Sequence, residues 1–196
     1  MPRPALSQSD INNFREEIKA TGYQMITEEG VEALTLRNLA RRLGCSYAKP
    51  YRYYKSKEEL VDAVRGHAFG EFAKYMTTVG DKAGIPLAER YISFAIKHPE
   101  AFRIMFELKQ GYTSEEAREA EARAWELCAA PFHEAARQGL LDDEPEAAAH
   151  LYWIALHGLA SLALADKLNY GMDVTEITQV LIRNLPAHRF FAQENS

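Results

Sequence analysis

Apolar residues recur at intervals of three and four along most of the chain, which is the spacing of one face of an α-helix. No stretch shows the sustained alternation of apolar and polar residues that is typical of a β-strand. The apolar positions of the first segment are Ile11, Phe14, Ile18, Gly22 and Met25. The pattern predicts an all-α fold.

Capping and turn residues divide this pattern into helices. Ser9 or Asp10 can cap the first helix, and Gly30 is expected to end it. Thr35 is placed to cap a second, short helix, which stops at Gly44. The chain is therefore expected to open with a long helix followed by a helix of about two turns.

The next helices follow without a long linker. Ser46 can cap a third helix that begins at Tyr47. Ser56 and Glu59 have the spacing of a capping box, so a fourth helix is expected to begin near Lys57. Five further helices are predicted between proline and glycine breaks: Leu87 to Lys97, Pro99 to Leu108, Ser114 to Gln138, Pro145 to Leu168, and Val174 to Leu185. About nine helices are expected in all.

Charge is distributed unevenly along this helical chain. The 196 residues carry 23 Lys and Arg against 28 Asp and Glu, a formal net charge of −5. Residues 1–57 nevertheless hold ten basic and six acidic side chains, and from Leu36 to Lys57 there are seven basic residues and no carboxylate. A run of one sign over this length favours a polyanionic partner over a chance cluster.

A short helix, a glycine turn and a second short helix between Thr35 and Tyr54 form a helix-turn-helix pattern. The same arrangement also joins ordinary helices in all-α proteins. Its content favours DNA binding, because basic residues alternate with tyrosines and supply many donors for phosphate oxygens and base edges. Tyr54 and Tyr51, three residues apart, can pack inward, whereas we expect Tyr47 and Tyr53 to face solvent.

Two runs carry a resemblance to a known family. Residues 30–46 read GVEALTLRNLARRLGCS and residues 51–60 read YRYYKSKEEL. In order and spacing they resemble the DNA-binding domain of TetR/AcrR-type transcriptional regulators. Residues 98–106 (HPEAFRIMF) and 153–158 (WIALHG) resemble the family less closely, and the second is similar to the Trp-x-x-x-His-Gly signature of one ligand-domain subgroup. The resemblance implies a nine-helix homodimer, with three helices for DNA and six for effector binding and dimerisation.

Carried over by position, the resemblance assigns base-edge contacts to four residues: Arg37, Tyr47, Ala48 and Lys49. It assigns phosphate contacts to Thr35, Tyr51, Tyr53 and Lys57, and Lys55 fits phosphate by its charge. Lys57 lies at a predicted helix N-terminus, where backbone N–H groups also favour an anion. Pro50 departs from the family pattern, which usually has a branched aliphatic residue there, and proline stiffens the third helix.

The segment from Ala147 to Ala165 has no charged side chain and nearly reaches the length of a membrane span. It contains His150, His157 and Gly158, and no Lys or Arg cluster flanks it, so a helix buried by the core or by a partner chain is favoured over a membrane helix. A monomer of this size would have trouble covering such a helix on every side. We therefore expect a two-fold homodimer in which this helix and the last one form a four-helix bundle.

Aromatic residues are frequent at interior spacings in the later helices, a pattern that more often forms a plain core than a binding site. The family resemblance implies that these helices enclose an apolar cavity with a few polar anchors. The candidates for lining it are His98, Trp125, His133, Trp153 and His157. A largely apolar small-molecule effector is thus expected.

Motifs of catalytic chemistry are missing from the sequence. There is no Gly-x-Ser-x-Gly, phosphate-binding loop or Cys-x-x-Cys, and His133-Glu134 lacks the second histidine of a zinc-protease motif. Cys45 and Cys128 cannot build a disulfide framework, which favours a reducing cytoplasm. We expect neither an enzyme nor a bound cofactor or metal.

Together these features predict a cytoplasmic, ligand-responsive DNA-binding regulator with no membrane association. Residues 1–57 are expected to bind double-stranded operator DNA, and residues 58–196 to bind the effector and dimerise. The favoured hypothesis is a repressor that the small molecule releases from a near-palindromic operator. Two alternatives stay open: a DNA-binding protein without an effector, and an all-α enzyme or lipid or small-molecule carrier.

Overall fold

The computed structural model describes residues 7–78, 86–108, 111–141, 144–168 and 171–184. Within these ranges it has eight α-helices and no β-strand, which confirms the all-α class. The helices are α1 Gln8–Glu29, α2 Leu36–Arg42, α3 Lys57–Thr78, α4 Leu87–Lys97, α5 Pro99–Phe106, α6 Glu115–Arg137, α7 Pro145–Leu164 and α8 Val174–Asn184. Two short 3₁₀ turns, Val31–Ala33 and Pro50–Arg52, follow α1 and α2.

Helix α1 begins earlier than expected, because Ser7 rather than Ser9 or Asp10 is its N-cap. The Ser7 hydroxyl accepts the N–H of Asp10 at 3.2 Å, and the Asp10 carboxylate accepts the N–H of Ser7 at 3.1 Å. This reciprocal pair is a capping box, so Asp10 is the third residue of the helix and not its cap. Gly30 ends α1 as predicted, with a φ of +84° that glycine adopts without strain.

Helix α2 begins and ends where the sequence predicted. The Thr35 hydroxyl accepts the N–H of Asn38 at 3.1 Å and caps the helix. Leu36 and Leu39 are buried, as their spacing predicted. Gly44 follows the helix with a φ of +62° and stops it.

The structure corrects the third predicted helix, which is not an α-helix. Tyr47 to Lys49 form a turn that leads into the 3₁₀ turn Pro50–Arg52. The N–H of Lys49 donates to Ser46, and the N–H of Tyr53 to Pro50, each to a carbonyl three residues back at 2.9 Å. Pro50 has no N–H to donate to the Ser46 carbonyl four residues back, so the α-helical ladder cannot form through this position.

The later helices lie close to their predicted bounds. Helix α4 begins and ends at the predicted residues, with Pro86 before it and Pro99 after it. Helices α5, α6 and α7 end one to four residues before their predicted ends. Leu185, the predicted end of the last helix, lies outside the described residues.

The chain divides into two compact units. One comprises Met1–Phe69 and Glu100–Ala120, and the other comprises Gly70–Pro99 and Glu121–Ser196. This division by compactness falls inside α3 and inside α6. The predicted boundary after residue 57 separates a DNA-binding part from an effector-binding part. It is a division by function, and it stays a prediction.

In the first unit, α1, α3 and the beginning of α6 are held together by close contacts. A Cβ added to Gly22 of α1 would lie 2.7 Å from a methyl group of Val64 on α3, so the two helices approach closely there. The buried Lys19 of α1 places its Nζ 2.6 Å from the carboxylate of Glu116 on α6. The buried carboxylate of Asp62 on α3 accepts hydrogen bonds of 2.9 and 3.0 Å from the two residues before α6. These contacts fix the scaffold on which α2 and the turn after it are mounted.

In the second unit, α4 packs against both α7 and α8. Phe72, in the last third of α3, makes edge-to-face ring contacts with Tyr91 and Phe94 of α4, with centroids 5.7 and 5.1 Å apart. Tyr152 and Leu156 of α7 are also buried. Two of the effector candidates, Trp153 and His157, contact Tyr91 of this aromatic core.

Candidate nucleic-acid interface and effector cluster

Helix α2 and the turn after it bring together two of the predicted base-contacting residues. Arg37 is exposed on α2, and its guanidinium carbon lies 5.6 Å from the centroid of the Tyr47 ring. Thr35 lies at the N-terminus of α2 and is half-buried, with its hydroxyl engaged as the cap. This cation–π contact places the guanidinium N–H donors of Arg37 beside the side chain of Tyr47 on one exposed surface.

The four tyrosines of the recognition segment, residues 46–56, differ in burial. Tyr47 and Tyr51 are 55% and 54% exposed, so both hydroxyls are open to a phosphate or a base. Tyr54 packs inward as predicted, and burial raises its pKa to about 12. Tyr53 was expected to face solvent but is half-buried, with its ring centroid 5.0 Å from that of Phe14 on α1.

Lys49 also lies against α1. Its side chain is half-buried, and its Nζ is 3.5 Å from the centroid of the Phe14 ring, whereas the neighbouring Ala48 is exposed. The sequence did not identify Phe14 as a functional residue, because its periodicity placed it only on the buried face of α1. No signal in the sequence pairs it with Lys49.

The basic side chains of this surface differ in whether a carboxylate of the same chain compensates their charge. Lys57, at the start of α3, places its Nζ 3.2 Å from the carboxylate of Glu32. Arg42 contacts two carboxylates, those of Glu28 and Glu29. The structure, over the residues it describes, gives no ion pair to the remaining basic residues of the run: Arg37, Arg41, Lys49, Arg52 and Lys55. Uncompensated positive charge is therefore concentrated in α2 and the recognition segment.

In the second unit, a hydrogen-bonded group joins two of the five effector candidates. The indole N–H of Trp153 donates to the Tyr91 hydroxyl at 3.2 Å. The same hydroxyl lies 3.1 Å from Nδ1 of His157, to which it can donate. Burial raises the pKa of Tyr91 above its ordinary value, so this phenol stays protonated and available as a donor.

Trp125 extends this group along α6. Its ring centroid lies 6.1 Å from that of Trp153 and 4.4 Å from that of His150. Cys128 lies one turn further along α6, and burial raises the pKa of its thiol to about 12. We call Tyr91, Trp125, Trp153 and His157 the effector cluster.

The other two effector candidates lie in different surroundings. His98 is the C-cap that follows α4, and its ring packs against Phe94 and Tyr75, at 5.0 and 5.7 Å between centroids. Burial lowers the pKa of His98. His133 on α6 pairs with Glu146 on α7 at 3.0 Å. Sequence reasoning had named five candidates, of which three belong to the cluster. It had not named Tyr91, which was visible only as one of many interior aromatic residues.

A separate groove of about 290 Å³ lies between α4 and α8, and none of the five candidates lines it. Its walls include Ile92 and Ile96 of α4 and Val174 of α8, with Glu89 and Gln179 joined by a hydrogen bond beside it. Among the described residues there is no group of three His, Cys, Asp or Glu side chains that could hold a metal ion.

Two known protein families match this chain, and one of them covers the surface described above. The family described as bacterial regulatory proteins of the tetR family matches residues 18–64, which contain α2, the recognition segment and the start of α3. The family described as the tetracyclin repressor-like C-terminal domain matches residues 85–185. The chain belongs to the TetR family.

Individual relatives agree with this assignment. An HTH-type transcriptional regulator of Mycobacterium tuberculosis, Rv0681, is 30% identical over 179 residues, covering 88% of this chain and 80% of the relative. The HTH-type transcriptional repressor KstR2 of the same organism is 31% identical over 103 residues, about half of each chain. A solved structure from Rhodococcus sp. RHA1, of a protein with unknown function, has a TM-score of 0.73 and 24% identity and covers 98% of both chains. At that identity the last likeness shows the shared fold alone.

Membership of the TetR family excludes one of the two alternatives that the sequence left open, an all-α enzyme or carrier without DNA binding. TetR-family regulators are non-enzymatic proteins that bind DNA operators and act as dimers. This protein is therefore a DNA-binding transcriptional regulator and not an enzyme, as the sequence predicted. The DNA contacts, the dimer interface and the effector site are not decided by the family alone.

Proposed function

We propose that this TetR-family protein is a repressor that binds a near-palindromic operator as a homodimer and is released from it by an apolar small molecule. The observation that carries the proposal is the exposed surface formed by Arg37, Tyr47 and Tyr51, where basic charge without ion-pair partners meets open tyrosine hydroxyls. The likeness to the KstR2 repressor supports repression as the direction of control.

The DNA contacts divide by the chemistry of each side chain. Base edges are contacted by Arg37, Tyr47, Ala48 and Lys49, because Arg and Lys can bond guanine and a small residue such as Ala lets the backbone approach the groove. Phosphates are contacted by the flanking residues Thr35, Tyr51, Tyr53, Lys55 and Lys57. The phosphate contacts supply most of the affinity and make it fall steeply with salt.

Dimerisation uses the face of α7 that the rest of the chain leaves open. Helix α7 is long and apolar enough to cross a bilayer, yet only about a third of its apolar window is buried within the chain. Leu151 and Ile154 are 63% and 58% exposed, and Leu162 continues the same apolar stripe. Burial of this stripe against α7 and α8 of a second copy explains the composition without a membrane. A DNA-binding dimer of this kind acts in the cytoplasm, where it reaches the chromosome.

The effector binds within the second unit, beside the effector cluster. Its rings provide an apolar surface, and the Tyr91 hydroxyl and the His157 imidazole provide polar groups that can orient a ligand. His98 and His133 stay candidates for the lining of the same site. Because the polar groups are few, the ligand is expected to be largely apolar.

Selection from a random-sequence duplex library with the full chain tests the proposal. We expect enrichment of one near-palindromic sequence with half-sites about one helical turn or more apart. Arg37→Ala should lower affinity for the enriched duplex by about 1–3 kcal/mol, or roughly 5- to 150-fold. Arg137→Ala, an exposed arginine of α6, is the matched control and should bind like the unaltered chain. Failure to enrich any sequence would refute the proposal.

A further inference from the structure

Phe14 of α1 lies under two residues of the recognition segment at once. The ammonium group of Lys49 is 3.5 Å from the centroid of its ring, and the ring of Tyr53 is tilted against it with centroids 5.0 Å apart. Phe14 itself is only 9% exposed, so its ring is fixed by the surrounding core. Lys49 and Tyr53 lie directly before and directly after the 3₁₀ turn Pro50–Arg52.

The contact with Lys49 is an electrostatic one. An ammonium group over the face of an aromatic ring is attracted by the ring quadrupole, and the attraction strengthens as the group loses water. The Lys49 side chain is half-buried, and the structure gives it no carboxylate partner among the described residues. The Phe14 ring is therefore the group that restrains a flexible four-carbon side chain which would otherwise sample many rotamers.

We propose that Phe14 is a positioning residue for DNA recognition, which holds Lys49 where it meets the operator. This inference rests on the proposed function. It extends the recognition surface to a residue of α1 that makes no DNA contact itself. An ammonium group engages the ring with one side and keeps donors free on the other, so Lys49 can bond a base while it stays on Phe14.

Holding Lys49 in place lowers the conformational entropy that it loses when it binds a base edge. Removal of the ring should therefore weaken the specific complex, in which Lys49 is ordered, more than complexes with random DNA. Without the ring, Lys49 must be ordered when it binds, and this cost corresponds to an effect of about three- to tenfold on affinity. If the ring instead held the Lys49 side chain away from DNA, removal of the ring would strengthen specific binding.

The test is a double-mutant cycle on the full chain, with affinities measured for the duplex enriched by the unaltered chain and for a scrambled duplex. Phe14→Leu keeps an apolar side chain and removes the ring, and Lys49→Met keeps the length of the side chain and removes the charge. We expect Phe14→Leu to weaken specific binding about three- to tenfold and scrambled-duplex binding less than about twofold. In the Lys49→Met background, Phe14→Leu should change specific binding less than about twofold.

Two further variants separate positioning from general damage to the fold. Phe14→Tyr keeps the ring and should restore near-normal specific affinity. Ile18→Val removes one methyl group from the buried face of the same helix and should lower thermal stability without changing the ratio of specific to scrambled binding. Equal effects of Phe14→Leu in the two Lys49 backgrounds, or tighter specific binding by Phe14→Leu, would overturn the inference. A chain that binds both duplexes equally before any substitution would overturn the proposed function as well.

Discussion

Basic side chains on the proposed DNA-binding surface differ in how readily they can bind a phosphate. The guanidinium of Arg42 contacts two carboxylates, so its charge is already compensated within the protein. Lys57 has one carboxylate partner, Glu32, whose side chain is 90% exposed. An exposed ion pair contributes only about 0–1 kcal/mol, so a phosphate can readily replace Glu32. Lys57 is therefore the better phosphate ligand of the two residues.

Replacement of Lys57 by alanine should weaken binding to all DNA sequences about equally. The lost phosphate contact should lower the slope of log K against log salt by about 1, because one fewer counterion is released on binding. Binding measured at several salt concentrations checks this expectation. Lys74→Ala, on the exposed surface of the same helix, is the control and should leave the slope unchanged. A loss confined to the specific duplex would instead make Lys57 a base-reading residue.

Contacts between side chains far apart in the sequence were the part that sequence reasoning could not supply. Periodicity placed Phe14 correctly on the buried face of α1, but it holds no information about Lys49 above the ring. His133 was assigned to a cavity by family resemblance, and its neighbour in the structure is Glu146. Residue types and helical spacing limit which face a side chain occupies, whereas its partner depends on how the helices pack.

Among the helices and turns, capping residues and prolines in the sequence predicted several helix ends correctly. Thr35 and Gly30 cap their helices as expected, and Pro86 and Pro99 flank α4. The recognition segment was predicted as an α-helix because its polar and apolar positions suit one. Periodicity does not register the missing N–H of Pro50, which an α-helix through this position would need for its hydrogen bond to the Ser46 carbonyl.

Substitution of Pro50 by leucine should convert the recognition segment to an α-helix. Leucine restores the N–H that can donate to the Ser46 carbonyl, and its side chain can occupy the buried site of the proline. Backbone carbon chemical shifts of residues 47–53 should move to α-helical values in solution. Pro50→Ala restores the same N–H with a smaller side chain and should shift them in the same direction. Unchanged shifts in both variants would mean that packing, and not the lost donor, sets this conformation.

At the level of the whole molecule, the distribution of apolar surface on α7 points to a second copy of the chain. Leu156 of this helix is 2% exposed and belongs to the core of its own chain, so a charge there would unfold the protein rather than separate a dimer. Leu151 and Ile154 are exposed and are suited to test the interface. A continuous apolar stripe of this kind is unusual on the surface of a soluble monomer.

Leu151→Glu combined with Ile154→Glu should convert the dimer to a monomer, because two charges would be buried without partners in the interface. Sedimentation equilibrium at micromolar concentration checks the mass, and circular dichroism checks that the helices persist. Ala122→Glu adds one negative charge at an exposed position of α6 and should leave the dimer intact. An unchanged mass for the double variant would place the interface elsewhere.

Release of the operator by a small molecule requires the ligand to bind the free protein more tightly than the DNA-bound protein. Linkage then demands that the operator weaken ligand binding by the same factor, and a coupling of about 1–3 kcal/mol corresponds to roughly 5- to 150-fold.

The two tryptophans, Trp125 and Trp153, have ring centroids 6.1 Å apart in the effector cluster, so ligand entry should change their fluorescence. Straight-chain fatty acids and aromatic esters are suitable probes, titrated with and without the enriched duplex. Tyr91→Phe removes the hydroxyl that Trp153 and His157 share, and it should weaken ligand binding while leaving affinity for the duplex unchanged in the absence of ligand. A probe that binds equally well in both titrations would show that occupancy of the cluster does not control DNA release.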